Sequence, residues 1–205
     1  MYLYPKWIRL WHVVNAILFI VLIVTGLSMQ YTDLENSKYV MGFARAVKWH
    51  NYAAFILTGN YVIFIIGNAF TNNGKHYRIK RDTFVSDLMK QFRYYAFGMF
   101  RGEKHPFPVT EEGKFNPLQK ITYVLAMYLG MPILIISGFV LLFPEVAIDD
   151  VFGMSGLVLN DVLHIATGFL LSIFMIVHIY TCTLGAKPTS LFWGMISGYH
   201  RSDDH

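Results

Sequence analysis

Residues 161–184, DVLHIATGFLLSIFMIVHIYTCTL, form an apolar run with His164 near one end and His178 near the other. The two histidines are 14 residues apart, which on a helix is about 21 Å of rise and about four whole turns. Both imidazoles therefore project from one face, at two depths of a bilayer whose hydrocarbon core is roughly 30 Å thick. An ionisable ring at such depth is costly and marks function, so each ring calls for a partner elsewhere in the chain.

The surrounding composition sets the class. The 205 residues are 55% hydrophobic, 17% aromatic and only 15% charged, with a mean hydropathy of +0.41, outside the balance of soluble domains. Four stretches are long and apolar enough to span, at about 8–29, 49–70, 121–143 and 157–184. The expected architecture is all-α, a four-helix transmembrane bundle forming a single domain over 1–205. The run after Lys6 and Arg9 exceeds a signal-peptide core and lacks a small-x-small cleavage site, so it is expected to be a retained first span.

Charge orients the bundle. The segment 71–117 carries nine Lys and Arg against five acids, whereas 144–161 holds Glu145, Asp149, Asp150 and Asp161 with no cation. By the positive-inside effect, 71–117 and both termini are expected on the cytoplasmic side of a bacterial or archaeal inner membrane. Within it, Phe84, Val85, Leu88, Met89, Phe92, Tyr95 and Met99 recur at helical spacing, which predicts a cytoplasmic amphipathic helix between helices 2 and 3. The formal charge of +4 is spread between apolar runs without a nucleic-acid motif, so no nucleic-acid partner is expected, only membrane lipid. The single cysteine, Cys182, excludes a disulfide within the chain, a cysteine-held iron–sulfur cluster and covalently attached c-type haem.

Eight histidines sort by position. His76, His105, His200 and His205 lie in polar segments, where a solvated ring is expected. His12 and His178 fall toward one membrane face, His50 and His164 toward the other. Two depth-matched pairs about 20 Å apart cannot make one four-histidine zinc site. A pair of axial imidazoles is what a b-type haem requires, the porphyrin filling the equatorial positions. Gly26, 14 residues beyond His12, either clears space for a flat ligand or marks a close helix contact.

The motifs WIRLWH (7–12), WHNY (49–52), FNPLQKITY (115–123) and LHIATG (163–168) with His178 resemble the di-haem cytochrome b subunits of formate dehydrogenase and thiosulfate reductase, relatives of the nickel–iron hydrogenase cytochromes. NPLQK is closer to the thiosulfate-reductase branch. The resemblance covers all four spans and implies two haem b groups. His12 and His178 would ligate the cytoplasmic-side haem, and His50 and His164 the outer one. It also implies a quinone site (menaquinone or ubiquinone) at Asn116, Gln119 and Lys120. On ordinary grounds Asn116 caps a helix, Gln119 faces water and Lys120 snorkels. Arg9, Arg45 and Lys48 are placed either for haem propionates or for interfacial anchoring.

The expected function is that of the cytochrome b subunit of a quinone-linked oxidoreductase complex. It would pass electrons between the quinone pool and an extracytoplasmic iron–sulfur or multihaem subunit, which in turn serves a catalytic subunit. The alternatives are a haem-bearing membrane anchor without a quinone site and a haem-free proton-conducting bundle. Purified protein should show the reduced b-type α band in its absorbance spectrum; a spectrum without it would leave only the haem-free bundle.

Overall fold

The computed structural model describes residues 1–32, 40–79, 82–184 and 187–200. Asp33, Glu35 and Lys38 of the first polar connection, Lys80, Arg81 and His205 lie outside the described residues. The chain is an all-α transmembrane bundle. Four helices are long and apolar enough to cross a membrane: α1 Lys6–Tyr31, α2 Phe43–Phe70, α4 Pro117–Leu142 and α5 Gly156–Cys182. Two shorter helices, α3 Phe84–Arg93 and α6 Ser190–Ser197, complete the helical set of the described residues. A two-stranded hairpin, β1 Asp150–Val151 and β2 Met154–Ser155, joins α4 to α5.

Contacts divide the chain into two compact units. One comprises Lys6–Ile66 and Pro132–Ile176. In it Trp11 and Asn60 clasp α1 to α2 reciprocally: the Trp11 indole Nε1 donates to the Asn60 carbonyl at 2.9 Å, and Asn60 Nδ2 donates to the Trp11 carbonyl at 3.3 Å. Trp11 also stacks on the fully buried Phe64, centroids 4.5 Å apart. Lipid gives apolar helices no hydrophobic reason to associate, so such interhelical hydrogen bonds and close packing hold the unit together. Leu10, Ile17, Ile63, Phe169 and Leu170 are exposed for the same reason, as the lipid-facing surface.

The other unit comprises Met1–Pro5, Gly67–Met131 and Val177–His205. The two ends of the chain meet in it. Leu3 N donates to Gly198 O at 2.9 Å, His200 N donates to Met1 O at 2.9 Å, and the rings of Tyr2 and Tyr199 meet edge to face. Gly198, left-handed at φ 87°, ends α6 and turns the chain into this pairing. Asn116 caps α4 through a complete capping box with Gln119, and Pro117 occupies the first turn. Between Leu125 and Gly130 the backbone widens into a π turn. It lies where the Pro132 ring would strike the carbonyl of Tyr128, so the helix accommodates this proline with a wide turn.

Two expectations change. α2 begins at Phe43, not 49, so Arg45 and Lys48 ride on its first turns instead of in a loop; the helix-forming run Ala44 to Val47 carries it past the apolar span. The amphipathic helix expected between helices 2 and 3 is present as α3. Gln91 is fully buried, while Val85, Met89 and Phe92 are exposed, the arrangement of a helix that presents apolar side chains to lipid. His76 is buried at 5% exposure, not solvated.

His76 lies on a tight turn, Asn72–Tyr77, walled by Phe115. Gly74 is required in that turn, because a side chain there would run into the Asn68 carbonyl. Asn73 Nδ2 donates to Asn68 Oδ1 at 2.7 Å and Lys114 Nζ donates to Asn73 Oδ1 at 3.4 Å. Burial, with the charges of Lys114 and Lys75 nearby, pushes His76 from 6.5 down to about 4. The unfolded chain then takes up this proton first, so stability is complete above about pH 6.5 and falls as the pH drops toward 4. His76→Gln should flatten that dependence when thermal unfolding of the detergent-solubilised protein is followed between pH 7 and about 4.

Candidate functional site

Each membrane-depth histidine is positioned by its own helix. His50 stands two turns into α2 and His164 two turns into α5, and the two rings come together with centroids 6.3 Å apart and planes crossing at 68°. Two imidazoles bonded to opposite faces of one metal at about 2 Å place their ring centres roughly 6 Å apart. The observed separation fits that arrangement.

The nitrogens are assigned by their neighbours. His50 Nδ1 lies 2.9 Å from Thr25 Oγ1 on α1, and His164 Nδ1 lies 2.9 Å from Ser137 Oγ on α4. Both contacts use Nδ1, leaving Nε2 of each ring for a metal. Among the described residues no three histidine, cysteine, aspartate or glutamate side chains converge as a metal site. A metal held by His50 and His164 thus takes its remaining ligands from outside the protein, as iron does in a porphyrin. The donor chemistry and geometry fit a haem.

Two glycines flank the pair. A Cβ on Gly138 would come within 3.1 Å of His164 Cε1, a tight contact that would push the ring back by a few tenths of an ångström, so glycine lets this ring lie close against α4. A Cβ on Gly26 would sit 3.7 Å from His50 Cε1, an ordinary contact. Gly26 therefore does lie at the depth of the second histidine. Sequence reasoning missed Thr25, Ser137 and Gly138. The available signal was the dipeptide: Thr25-Gly26 and Ser137-Gly138 repeat a hydroxyl followed by a glycine on two apolar helices.

His12 and His178 belong to different compact units. His12 is half-buried on α1 beside Trp11, ring centroids 6.5 Å apart. His178 is half-buried on α5, its Nδ1 3.3 Å from the Tyr123 hydroxyl of α4 and its Nε2 4.0 Å from Cys182 Sγ one turn on. Tyr123 in turn packs edge-on against Phe115. Arg9 is half-buried in the first turn of α1. Arg45 and Lys48 are exposed, with Lys48 Nζ over the Tyr52 ring at 5.9 Å, the posture of an interfacial anchor.

Asn116 is buried at 7% exposure and heavily engaged. Its Oδ1 accepts from Gln119 N at 2.9 Å, its backbone N donates to Gln119 Oε1 at 3.2 Å, and its Nδ2 donates to the Tyr95 hydroxyl at 3.1 Å. The Gln119 amide nitrogen stands outside the capping box. Gln119 and Lys120 are half-buried. Tyr95 joins this group unannounced by the sequence, carried in by the wide turn Tyr94–Gly98 that follows α3. Burial raises its phenol above the usual range, so it stays protonated at neutral pH.

Residues 3–198 match the family model described as prokaryotic cytochrome b561. The chain is also 40% identical over 205 residues to YdhU of Escherichia coli (strain K12), a protein named as a cytochrome, covering 98% of this chain and 74% of that one. No solved structure matches. With four membrane-spanning helices, and with two imidazoles that converge at the separation an axially ligated metal needs, the chain belongs to the prokaryotic cytochrome b561 family, multi-pass membrane proteins that carry electrons on b-type haem.

Proposed function

We propose that this chain is the membrane electron-transfer subunit of a respiratory complex, passing electrons through two b haems between the quinone pool and an extracytoplasmic redox partner. The observation that carries this reading is the convergence of His50 and His164, ring centroids 6.3 Å apart, with Nδ1 of each ring engaged by a hydroxyl. By the resemblance of the chain's helix motifs to the di-haem cytochromes b, His12 and His178 would hold the second haem. Haem bound at each pair would accept and release one electron at a time. The protein's own part is to align the imidazoles and to keep water away from the apolar unit.

The quinone is assigned to the unit that holds the termini. There Gln119, Asn116, Tyr95 and Lys120 put amide, phenol and ammonium groups near the start of α4, and Tyr123 of the same helix touches His178. Quinone reduction needs hydrogen-bond partners for two carbonyls and a supply of protons, both of which these groups offer. The basic segment 71–117 shares its unit with both chain ends, which supports placing all three on the cytoplasmic side. The partner subunit, iron–sulfur or multihaem, then docks on the opposite face and connects to a catalytic subunit.

A second reading, a haem-bearing anchor without a quinone site, is favoured by one observation: Asn116 Oδ1 and Gln119 Oε1 are both occupied within the capping box. Quinol-dependent reduction separates the two. A short-chain quinol should reduce the wild-type haems, and Gln119→Ala should slow that reduction about tenfold while dithionite still reduces both; an anchor shows no quinol-dependent reduction at all. For the haem pairing, His164→Ala should halve the haem content and leave the His12–His178 haem in place, read by pyridine haemochrome assay against protein concentration. Unchanged haem content would refute the pairing.

A further inference from the structure

We infer that Thr25 and Ser137 are positioning residues that fix the tautomer of His50 and His164 and set the reduction potential of the haem those rings hold. The inference rests on the proposed haem at this pair and goes beyond it by naming what tunes that haem.

A hydroxyl has one proton and must choose where to give it. Thr25 Oγ1 lies 2.7 Å from the Val21 carbonyl oxygen, and Ser137 Oγ lies 2.6 Å from the Ile133 carbonyl oxygen. Two oxygens that close repel unless a proton lies between them, and a carbonyl has none to give. Thr25 Oγ1 also lies 3.2 Å from the Leu22 carbonyl and Ser137 Oγ 3.2 Å from the Leu134 carbonyl, so each hydroxyl gives its proton to the carbonyls of the preceding turn of its own helix. Its oxygen is left able only to accept from the imidazole 2.9 Å away. The protons of His50 and His164 are thereby held on Nδ1, and the lone pair of each ring on Nε2, the form a metal binds.

The same short chain is built twice from different helices. On α1, the Val21 carbonyl, the Thr25 hydroxyl and the His50 ring follow in line; on α4, the Ile133 carbonyl, the Ser137 hydroxyl and the His164 ring do. Both hydroxyls are buried, at 1% exposure. In both cases glycine follows the hydroxyl residue and keeps the helix surface flat where the ring lies. Asn160 Nδ2 also donates to the Ser137 carbonyl at 2.9 Å, tying this turn of α4 to the first turns of α5.

A hydroxyl that is already donating is a stronger acceptor, because hydrogen bonds in series polarise one another in a low-dielectric interior. It draws the Nδ1 proton outward and makes Nε2 more basic. A more basic axial ligand favours the more positive iron state, so both chains lower the potential. Loss of either acceptor should raise it.

The test is an optical redox titration of the purified holoprotein, with haem content measured alongside. Thr25→Val, which keeps the shape and loses the hydroxyl, should shift the reduction equilibrium of one haem toward the reduced form by about three- to tenfold, up to about 59 mV for a one-electron couple. Ser137→Ala should act on the same haem and in the same direction, and the other haem should not move. Thr25→Ser restores the hydroxyl and should restore the wild-type potential. A Thr25→Val protein that loses this haem while Thr25→Ser keeps it counts the same way, since the hydroxyl is again what decides. Unchanged potentials in Thr25→Val and Ser137→Ala at full haem content would overturn the inference. If His164→Ala fails to remove a haem from the wild-type background, the haem assignment itself falls, and the two failures are thus told apart.

Discussion

An imidazole placed in hydrocarbon has two nitrogens to satisfy and no water to satisfy them with. This constraint organises the apolar unit of the protein. Thr25 and Ser137 accept from Nδ1 of His50 and His164, and each can do so only because its own proton is already committed to its helix. The two rings stand with their centroids 6.3 Å apart. His50 and His164 would hold a haem there through Nε2 of each ring. Helix packing follows the same demand: small residues and reciprocal hydrogen bonds, not greasy contacts, bring α1 to α2 and α4 to α5.

The spacing of His164 and His178 was legible because it is a property of a single helix, fixed by 1.5 Å and 100° per residue. The four spans were legible for a similar reason, apolar length being local. What stayed hidden depends on which helix lies beside which. Thr25 and Ser137 read in sequence as ordinary hydroxyls bonded back to their own helices, which they are; their second role exists only across a helix interface. Gly138 likewise shows its purpose only with His164 at its surface. Gln91 stands outside the apolar period of its helix, and at a lipid surface the apolar side chains are the ones turned outward, which leaves the polar face to be buried. The burial of His76 came from a turn that Asn73 and Gly74 close, a contact pattern with no period to detect.

The two compact units divide polar chemistry unequally. Around His50 and His164 the hydrogen bonds of the described residues tie hydroxyls and an amide to helix carbonyls and imidazoles. The unit of the termini is built from phenols, amides and cations: Tyr77, Tyr95, Tyr123, Asn68, Asn73, Asn116 and Lys114. Electron transfer alone needs a rigid, dry, low-reorganisation setting. Quinone chemistry adds protons to each pair of electrons and so needs a wet, hydrogen-bonded one. The phenols, amides and cations of the second unit suit the latter, which is the reason for proposing the quinone there.

Within that unit, the capping box at Asn116 bears on how such a site would be built. The cap engages two oxygens, Asn116 Oδ1 and Gln119 Oε1, and both are acceptors. A quinone carbonyl has no use for acceptors; it needs donors. By fixing both oxygens toward the helix start, the cap turns the donor ends of the two amides away from the backbone, and Asn116 Nδ2 already points to the Tyr95 hydroxyl. That phenol, once it accepts from Asn116, keeps its own proton to give. Helix capping and quinone recognition would therefore draw on opposite ends of the same side chains, so that a residue committed to the first is still equipped for the second.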